Sequence, residues 1–150
     1  MTDTHPNVVL LSRFDPADLT GIADVLSEDF VWHFINPKLP EHQGDYVGLA
    51  GLQDFFERTQ DFSGGTFKIN PVSITAVGDE LVVVHVQDTM VFEGTPMEID
   101  AVVVWRIVDG KLAEAWDIPA VNTPHVVRNA TAFENEKRSQ KWSSSHDAAC

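Results

Sequence analysis

The spacing of apolar residues changes from a helical period to a strand period near residue 66 of this 150-residue chain. Before that point, two segments carry apolar residues at every third or fourth position, which predicts two amphipathic helices. The first helix is expected to begin at Asp15-Pro16, and the second to end near Ser63. The apolar positions are Leu19, Ile22, Ala23 and Leu26 in the first helix, and Leu49, Leu52, Phe55, Phe56 and Thr59 in the second.

Strands are predicted between the two helices and in the part of the chain that follows the second helix. Aromatic and β-branched residues predict a strand at residues 30–35. Pro71 coincides with a change of phase in the alternation, which indicates a bulge. Asp109-Gly110 is a strong hairpin signal, because both residues tolerate a positive φ. The four later strands are expected at residues 66–76, 81–92, 97–108 and 111–118.

This order of elements predicts the fold class. Short turns between the last four strands imply an antiparallel meander, and helices confined to the first half imply that they cover one of its faces. We therefore predict an α+β fold in which a curved antiparallel sheet wraps around the N-terminal helices as a cone. The open end of a cone is a natural pocket. The domain is expected to span residues 1–121, and residues 122–150 to form a polar tail that is partly helical or disordered.

Charge and composition narrow the class of partner. The net charge of −13, with 10 basic residues, disfavours nucleic acid and anionic membranes, since both require clustered Lys and Arg. No apolar stretch approaches the roughly 20 residues that a membrane span needs. The acidic N-terminus is followed by no apolar segment, so a cytoplasmic location is expected. Cys150 alone makes no disulfide or thiolate cluster, and no metal-binding or Gly-rich phosphate motif is present, so we expect no metal and no cofactor.

Four short motifs accompany this order of elements. They are Glu28-Asp29-Phe30-Val31-Trp32-His33, Gly64-Gly65-Thr66-Phe67, Val104-Trp105-Arg106-Ile107-Val108-Asp109-Gly110-Lys111-Leu112 and Glu114-Ala115-Trp116-Asp117. Over about residues 8–120 the sequence resembles the SnoaL-like and ketosteroid-isomerase-like branch of the nuclear-transport-factor-2-like superfamily. The resemblance implies a cystatin-like cone, a small-molecule ligand and a homodimer that forms through the sheet. It does not specify a reaction, because the superfamily includes isomerases, cyclases, dehydratases, epoxide hydrolases and non-catalytic binding domains.

Asp117 is the leading candidate for a catalytic residue. Side chains alternate along a strand, so Asp117 shares one face with Ala113 and Ala115. The resemblance places this face inside the cone, where the two alanines would leave room for a ligand. A carboxyl group in an apolar pocket has a raised pKa, which suits proton transfer near neutral pH.

His85 and Gln87 are the candidates on the central strand. They share one face, which the resemblance also places inside the cone. There His85 would polarise the substrate or tune Asp117, and Gln87 would orient a carbonyl group or a water molecule. The same alternation places Asp88 and Asp100 outside.

Aromatic and apolar residues supply the remaining candidates for substrate binding. Trp32 and Phe34 share one face of the first strand, and Val103 shares a face with Trp105; these side chains suit a core as well as a pocket. Tyr46 lies in the loop before the second helix, within reach of the pocket rim. His33 has the opposite parity to Trp32, and faces the pocket only if a bulge intervenes. The full set of substrate-binding candidates is Trp32, Phe34, Gln87, Val103, Trp105, Tyr46 and His33.

Comparison with better-understood enzymes of this superfamily narrows the set of reactions to consider. The acids that ketosteroid isomerases use are replaced by His33-Phe34 and Val103, which disfavours steroid isomerisation. Of the acids and arginine used by limonene-epoxide-hydrolase-like enzymes, only one acid has a match, in Asp117. The SnoaL-like cyclases rely mainly on one Asp, and Asp117 with His85 fits that pattern best.

The sequence thus predicts an enzyme of the cyclase, isomerase or lyase kind that acts without a cofactor. Its catalytic residues would be Asp117 and His85, and its substrate a mostly apolar molecule that carries a carbonyl group. The alternative is a non-catalytic domain of the same fold that binds a small molecule or dimerises. Water addition of the epoxide-hydrolase type is a third possibility.

Overall fold

A computed structural model describes residues 5–127, which form a seven-stranded sheet and two α-helices. None of the helices in this part of the chain is long and apolar enough to cross a membrane. In chain order the elements are α1 (Pro6–Leu11), a 3₁₀ turn (Leu19–Ile22), β1 (Leu26–Phe34), β2 (Gly44–Val47), α2 (Gly48–Phe62), β3 (Lys68–Val77), β4 (Leu81–Phe92), β5 (Thr95–Val108), β6 (Lys111–Pro119) and β7 (His125–Val126).

The sheet has the order β2-β1-β6-β5-β4-β3, with β7 paired to β5. Strands β3 to β6 form the predicted antiparallel meander, and Asp109 and Gly110 turn β5 into β6 with φ values of 52° and 74°. Strand β1 lies beside β6 and runs parallel to it, so the sheet is mixed rather than purely antiparallel. The predicted α+β class and the cone-like curved sheet are confirmed.

The first half of the chain differs from the prediction in two places. The expected helix behind Asp15 is a 3₁₀ turn, and Leu26 belongs to β1. Carboxyl oxygens of Asp15 and Asp18 accept hydrogen bonds from the backbone N–H groups two residues later, and such local bonds favour turns over a continuing helix. The short strand β2 was missed, because four residues in a polar loop carry too little alternation to identify it.

Two irregularities set which side chains point inward. The register of β3 against β4 shifts between Pro71 and Ser73, as the phase change at Pro71 predicts. The register of β5 against β6 shifts between Arg106 and Ile107, which pair with Glu114 and Leu112 and leave Ala113 unpaired. Because of this second bulge, Leu112 and Asp117 are both buried on the inner face although they differ in parity.

Helix α2 lies on the inner face of the sheet and closes one end of it with aromatic side chains. Trp32 and Trp105 meet at 5.5 Å between ring centroids, and Phe56 lies 5.7 Å from Trp32. Gly51 permits the close approach of α2 to β2, since a Cβ there would be 2.8 Å from the carbonyl carbon of Tyr46. The aromatic core comprises Phe14, Phe30, Trp32, Phe55, Phe56 and Trp105. The other end of the sheet remains open.

The C-terminal tail predicted for residues 122–150 lies mostly outside the described residues. Within the described part, His125–Val126 form β7, which pairs with Met97 and Glu98 of β5. This strand adds to the rim of the open end. The proposed partial helix or disorder falls on residues 128–150, which the structure does not describe.

Candidate functional site

The open end of the sheet holds a cavity of about 230 Å³. By the same measure one water molecule needs only about 10–15 Å³, so the space suits an organic molecule. Most of the lining is apolar, which favours a mostly apolar ligand. The apolar lining residues are Phe34, Leu39, Phe55, Phe62, Phe67, Met90, Phe92, Met97, Ile99, Pro119, Val121 and Pro124, and the polar ones are Asn36, Lys38, His42, Thr59, Asp88 and Asp117.

Asp117 lies in the cavity wall near the end of β6. It pairs with Val103 of β5 on one side and Phe34 of β1 on the other, and its carbonyl oxygen accepts the N–H of Ile35 at 3.0 Å. Its side chain is buried, and this burial raises the pKa of Asp117 to about 7. Of the two alanines predicted beside it, Ala115 is buried on the same face, whereas Ala113 lies in the bulge. The predicted inward position of Asp117 agrees with the structure.

Asp88 is a second buried acid in the same cavity wall. Burial first, and then the negative charge of Asp117, raise the pKa of Asp88 well above its usual range. Its Oδ1 atom is buried and has no hydrogen-bond partner among the described residues. An unpartnered carboxyl oxygen in an apolar site strongly favours the protonated acid. Asp88 therefore presents a neutral O–H group beside an acid that titrates near pH 7.

The prediction that Asp88 points outward was wrong, because the face of β4 was assigned incorrectly. In the first half of this strand the buried positions are Val82, Val84 and Val86, and Asp88 continues their face. The sequence carries this signal, since three valines make the more apolar of the two alternating sets.

The same error placed His85 and Gln87 inside the cavity, and both placements were wrong. His85 lies on the outer face, where its Nε2 atom is 2.8 Å from Oδ1 of Asp100. Gln87 is paired with Asp100 across the two strands and also hydrogen-bonds its carboxylate. The bond from His85 is the main cause that lowers the pKa of Asp100. The predicted outward position of Asp100 agrees with the structure, and His85 has no contact with the cavity wall.

His42 and Thr59 form a polar part of the wall that the sequence did not indicate. The Thr59 hydroxyl donates to the carbonyl oxygen of Phe55 at 2.8 Å, so it accepts from Nε2 of His42 at 2.9 Å. The His42 ring stacks on Phe55 at 5.0 Å. Burial, with a smaller effect of the charge on Arg58, lowers the pKa of His42. His42 is thus a neutral imidazole, held by a loop that carries no periodic pattern.

The aromatic candidates divide between the cavity and the core. Phe34 lines the cavity, as predicted. Trp32, Trp105 and Val103 point inward but are buried in the core rather than in the cavity wall. Tyr46 is also buried, and its hydroxyl donates to the carbonyl oxygen of His42, so it supports the loop behind the cavity.

His33 lies on the outer face of the sheet and not in the cavity. Its Nδ1 is 2.7 Å from Oδ1 of Asp45, and its Nε2 is 2.6 Å from Oε2 of Glu114. Both ring nitrogens face carboxylates, so the imidazole donates from both and is positively charged. Burial lowers the pKa of His33, but the hydrogen bonds to Glu114 and Asp45 outweigh it and the net shift is upward. The charged ring of His33 on β1 therefore connects two neighbouring strands. Asp45 lies on β2, next to Tyr46, and Glu114 lies on β6.

No metal site accompanies these residues in the part of the chain that the structure describes. Across residues 5–127, no three side chains among His, Cys, Asp and Glu are grouped so that they could hold a metal ion. The cavity wall itself offers two buried carboxyl groups and a neutral imidazole for chemistry.

Comparison with known proteins agrees with this fold. The model of the SnoaL-like domain matches residues 10–115, and the chain belongs to this family. A search of curated proteins finds no match. A nuclear-transport-factor-2-like protein from Anabaena variabilis superposes with a TM-score of 0.61 at 19% identity, over 80% of this chain and 94% of that one.

Two further solved structures have names that refer to ligands or reactions. IdmH, a proposed polyketide cyclase from Streptomyces antibioticus, superposes with a TM-score of 0.59 at 19% identity, over 81% of this chain and 95% of that one. TerC, co-crystallized with polyporic acid, superposes with a TM-score of 0.61 at 21% identity, over 89% and 95%. At these identities the likeness shows the fold alone. The homodimer and the cytoplasmic location remain predictions.

The charged state of His33 predicts a pH-dependent contribution to stability. A raised pKa in the folded state means that the stabilisation is complete below about pH 6.5 and is lost as the pH rises through the folded pKa. His33→Gln should lower the free energy of unfolding by about 1 kcal/mol at pH 6, a modest figure because the Asp45 carboxylate is 64% exposed. Urea unfolding at pH 6 and pH 9 measures the free energy of unfolding of both proteins. An equal loss at both pH values would contradict a stabilising positive charge on His33.

Burial of Asp117 predicts how the stability of a second variant, Asp117→Asn, compares with that of the wild type as the pH changes. Its retained proton stabilises the fold fully below the unfolded pKa of about 3.9, and this stabilisation is lost as the pH rises to about 7. Asp117→Asn has no proton to lose, so it should be more stable than the wild type at pH 8, by roughly 2–4 kcal/mol, and similar to it at pH 4. Urea unfolding of both proteins across this range provides the measurement.

Asp100→Asn is the matched control for that comparison. Asp100 has a lowered pKa, so its contribution to stability is present above the unfolded pKa and is lost in acid. The control variant should therefore be no more stable than the wild type at pH 8. A gain at pH 8 in both variants would show that the effect does not depend on burial of Asp117.

Proposed function

We propose that the protein is an enzyme that moves a proton on a small, mostly apolar molecule bearing a carbonyl group, with Asp117 as the acid/base. The observation that supports this most directly is a buried carboxyl group with a pKa of about 7 in the wall of an apolar cavity. A general base works best when its pKa lies near the working pH, because it is then both ionised and basic. Family membership agrees with a small-molecule ligand.

The two acids would divide the work between them. The Asp117 carboxylate would remove a proton from the carbon next to the substrate carbonyl group. The electron pair of that C–H bond would form a C=C bond to the carbonyl carbon, and the π pair of the C=O bond would move onto the oxygen, giving an enolate. Asp88 keeps its proton and would donate it as a hydrogen bond to the developing oxyanion, which is the role first predicted for His85. The unpartnered Oδ1 of Asp88 supports this assignment.

The outcome of the reaction then depends on where the electron pair goes next. Return of the proton from Asp117 to a different carbon would give an isomerisation. Attack of the enolate on a second carbonyl group in the same molecule would close a ring, with Asp117 returning its proton to the new alkoxide. Both outcomes use the same two acids. The description of IdmH as a proposed polyketide cyclase supports the ring closure, and the co-crystallization of TerC with polyporic acid supports an organic ligand.

This mechanism makes a prediction that does not require the natural substrate. The protein should catalyse solvent deuterium exchange at the carbon next to the carbonyl group in a panel of aromatic ketones and β-diketones, measured by mass spectrometry. The rate should rise as the pH passes about 7, where Asp117 ionises. Asp117→Asn should lower this rate by at least about 100-fold.

Two further variants distinguish the roles of the acids. Asp88→Asn should lose less activity than Asp117→Asn, because its amide still donates a hydrogen bond. Asp100→Asn, on the outer face, should retain full activity. Undiminished exchange in Asp117→Asn would rule out the proposed base and leave a non-catalytic binding domain as the better description.

A further inference from the structure

The acidic and basic side chains that line the cavity lie at different depths. Asp88 and Asp117 are buried in the wall, whereas Lys38 is exposed where the cavity opens. Lys38 is the one cationic side chain among the residues that line the cavity. Its backbone N–H donates to Oδ1 of buried Asn36 at 3.0 Å, which fixes the loop that carries it.

Unlike the three arginines of the described range, Lys38 has no ion pair with a carboxylate; Lys68 and Lys111 have none either, but neither of them lines the cavity. Arg13, Arg58 and Arg106 pair with acidic side chains. No ion pair connects Lys38 to any residue in the described range 5–127. It also lines a second, shallow hollow just outside the cavity, together with Arg58, Glu41 and Asp61, so charges of both signs surround that hollow. Among the residues that line the cavity itself, Lys38 carries the one positive charge, so an anionic group on a bound ligand is best placed at the opening.

The distance between this cation and the buried acids suits one small ligand. Ile35 is hydrogen-bonded to the carbonyl oxygen of Asp117, and Lys38 follows three residues later. Three residues span at most about 10 Å, so both groups are within reach of a single molecule. Burial keeps Asp88 protonated, so at most one of the two acids, Asp117, is charged when a negative group binds at the opening.

We propose that Lys38 is a specificity-determining residue that binds a carboxylate on the ligand, at the end opposite its reacting carbon. The ligand class is therefore a mostly apolar carbonyl compound that carries one anionic group. The inference rests on the proposed function, because it assumes that the cavity holds the substrate. It adds a charge requirement that an apolar lining alone does not impose.

A pair of ligands that differ only in charge tests this assignment. The neutral fluorescent probe N-phenyl-1-naphthylamine would be bound in the cavity at pH 6, then displaced by 2-naphthylacetate or by its methyl ester. Lys38→Met should weaken binding of the acid by roughly fivefold to tenfold and change binding of the ester by less than about twofold. Lys38→Arg should keep the preference for the acid, because it retains the charge.

Lys68→Met is the matched control, since Lys68 is also exposed but does not line the cavity. It should bind both competitors as the wild type does. Equal weakening of acid and ester in Lys38→Met, or equal weakening of the acid in Lys68→Met, would overturn the role of Lys38. In either case the exchange activity that depends on Asp117 would remain, so the proposed function would stand. Failure of the probe and both competitors to bind to the wild type would overturn the inference and the proposed function together.

Discussion

The packing of α2 into the concave face of the sheet is the constraint on which the rest of the structure depends. Phe55 and Phe56 of this helix contact Trp32 of the sheet, which in turn contacts Trp105, and together they close one end of the cone. Aromatic pairs of this kind contribute about 0.5–1.5 kcal/mol each beyond their burial. The helix thereby keeps the sheet curved, so the opposite end stays open as a cavity lined by the same helix.

That geometry is what gives the two acids their properties. The inner face of the sheet is apolar wherever it meets the helix, and Asp88 and Asp117 are the acids that continue this face into the cavity. Removed from water, each carboxyl group favours its neutral form. The outer face follows the opposite rule: His33 is charged between Asp45 and Glu114, and His85 binds Asp100 where solvent still reaches. One sheet thus separates neutral acids inside from ion pairs outside.

The sequence predicts the second half of this fold better than the first. Strands β3 to β6 alternate with period two and are joined by local turns such as Asp109-Gly110, so each can be identified from its own residues. The spacing of Leu19, Ile22 and Leu26 fits a helix as well as it fits the 3₁₀ turn and strand that they form. Long-range packing decides between these two structures. The pairing of β1 with β6 and the bulge at Ala113 are likewise set by distant segments. The inward position of Asp117 could be predicted from the sequence. That of Asp88 could also have been predicted from the alternating valines before it. The loop that holds His42 and Lys38 carries no periodic signal, so their positions could not.

The proposed chemistry depends above all on the protonation of Asp117, which can be measured at the side-chain carboxyl carbon itself. Carbon-13 NMR of the side-chain carboxyl groups, recorded from pH 4 to pH 9, follows the titration of each acid, and Asp117→Asn identifies the resonance. If Asp117 is the base, one carboxyl resonance should titrate near pH 7 and be missing in that variant. An Asp117 that titrates near its ordinary value of about 4 would contradict this role, because such a group would be a solvated carboxylate and a weak base.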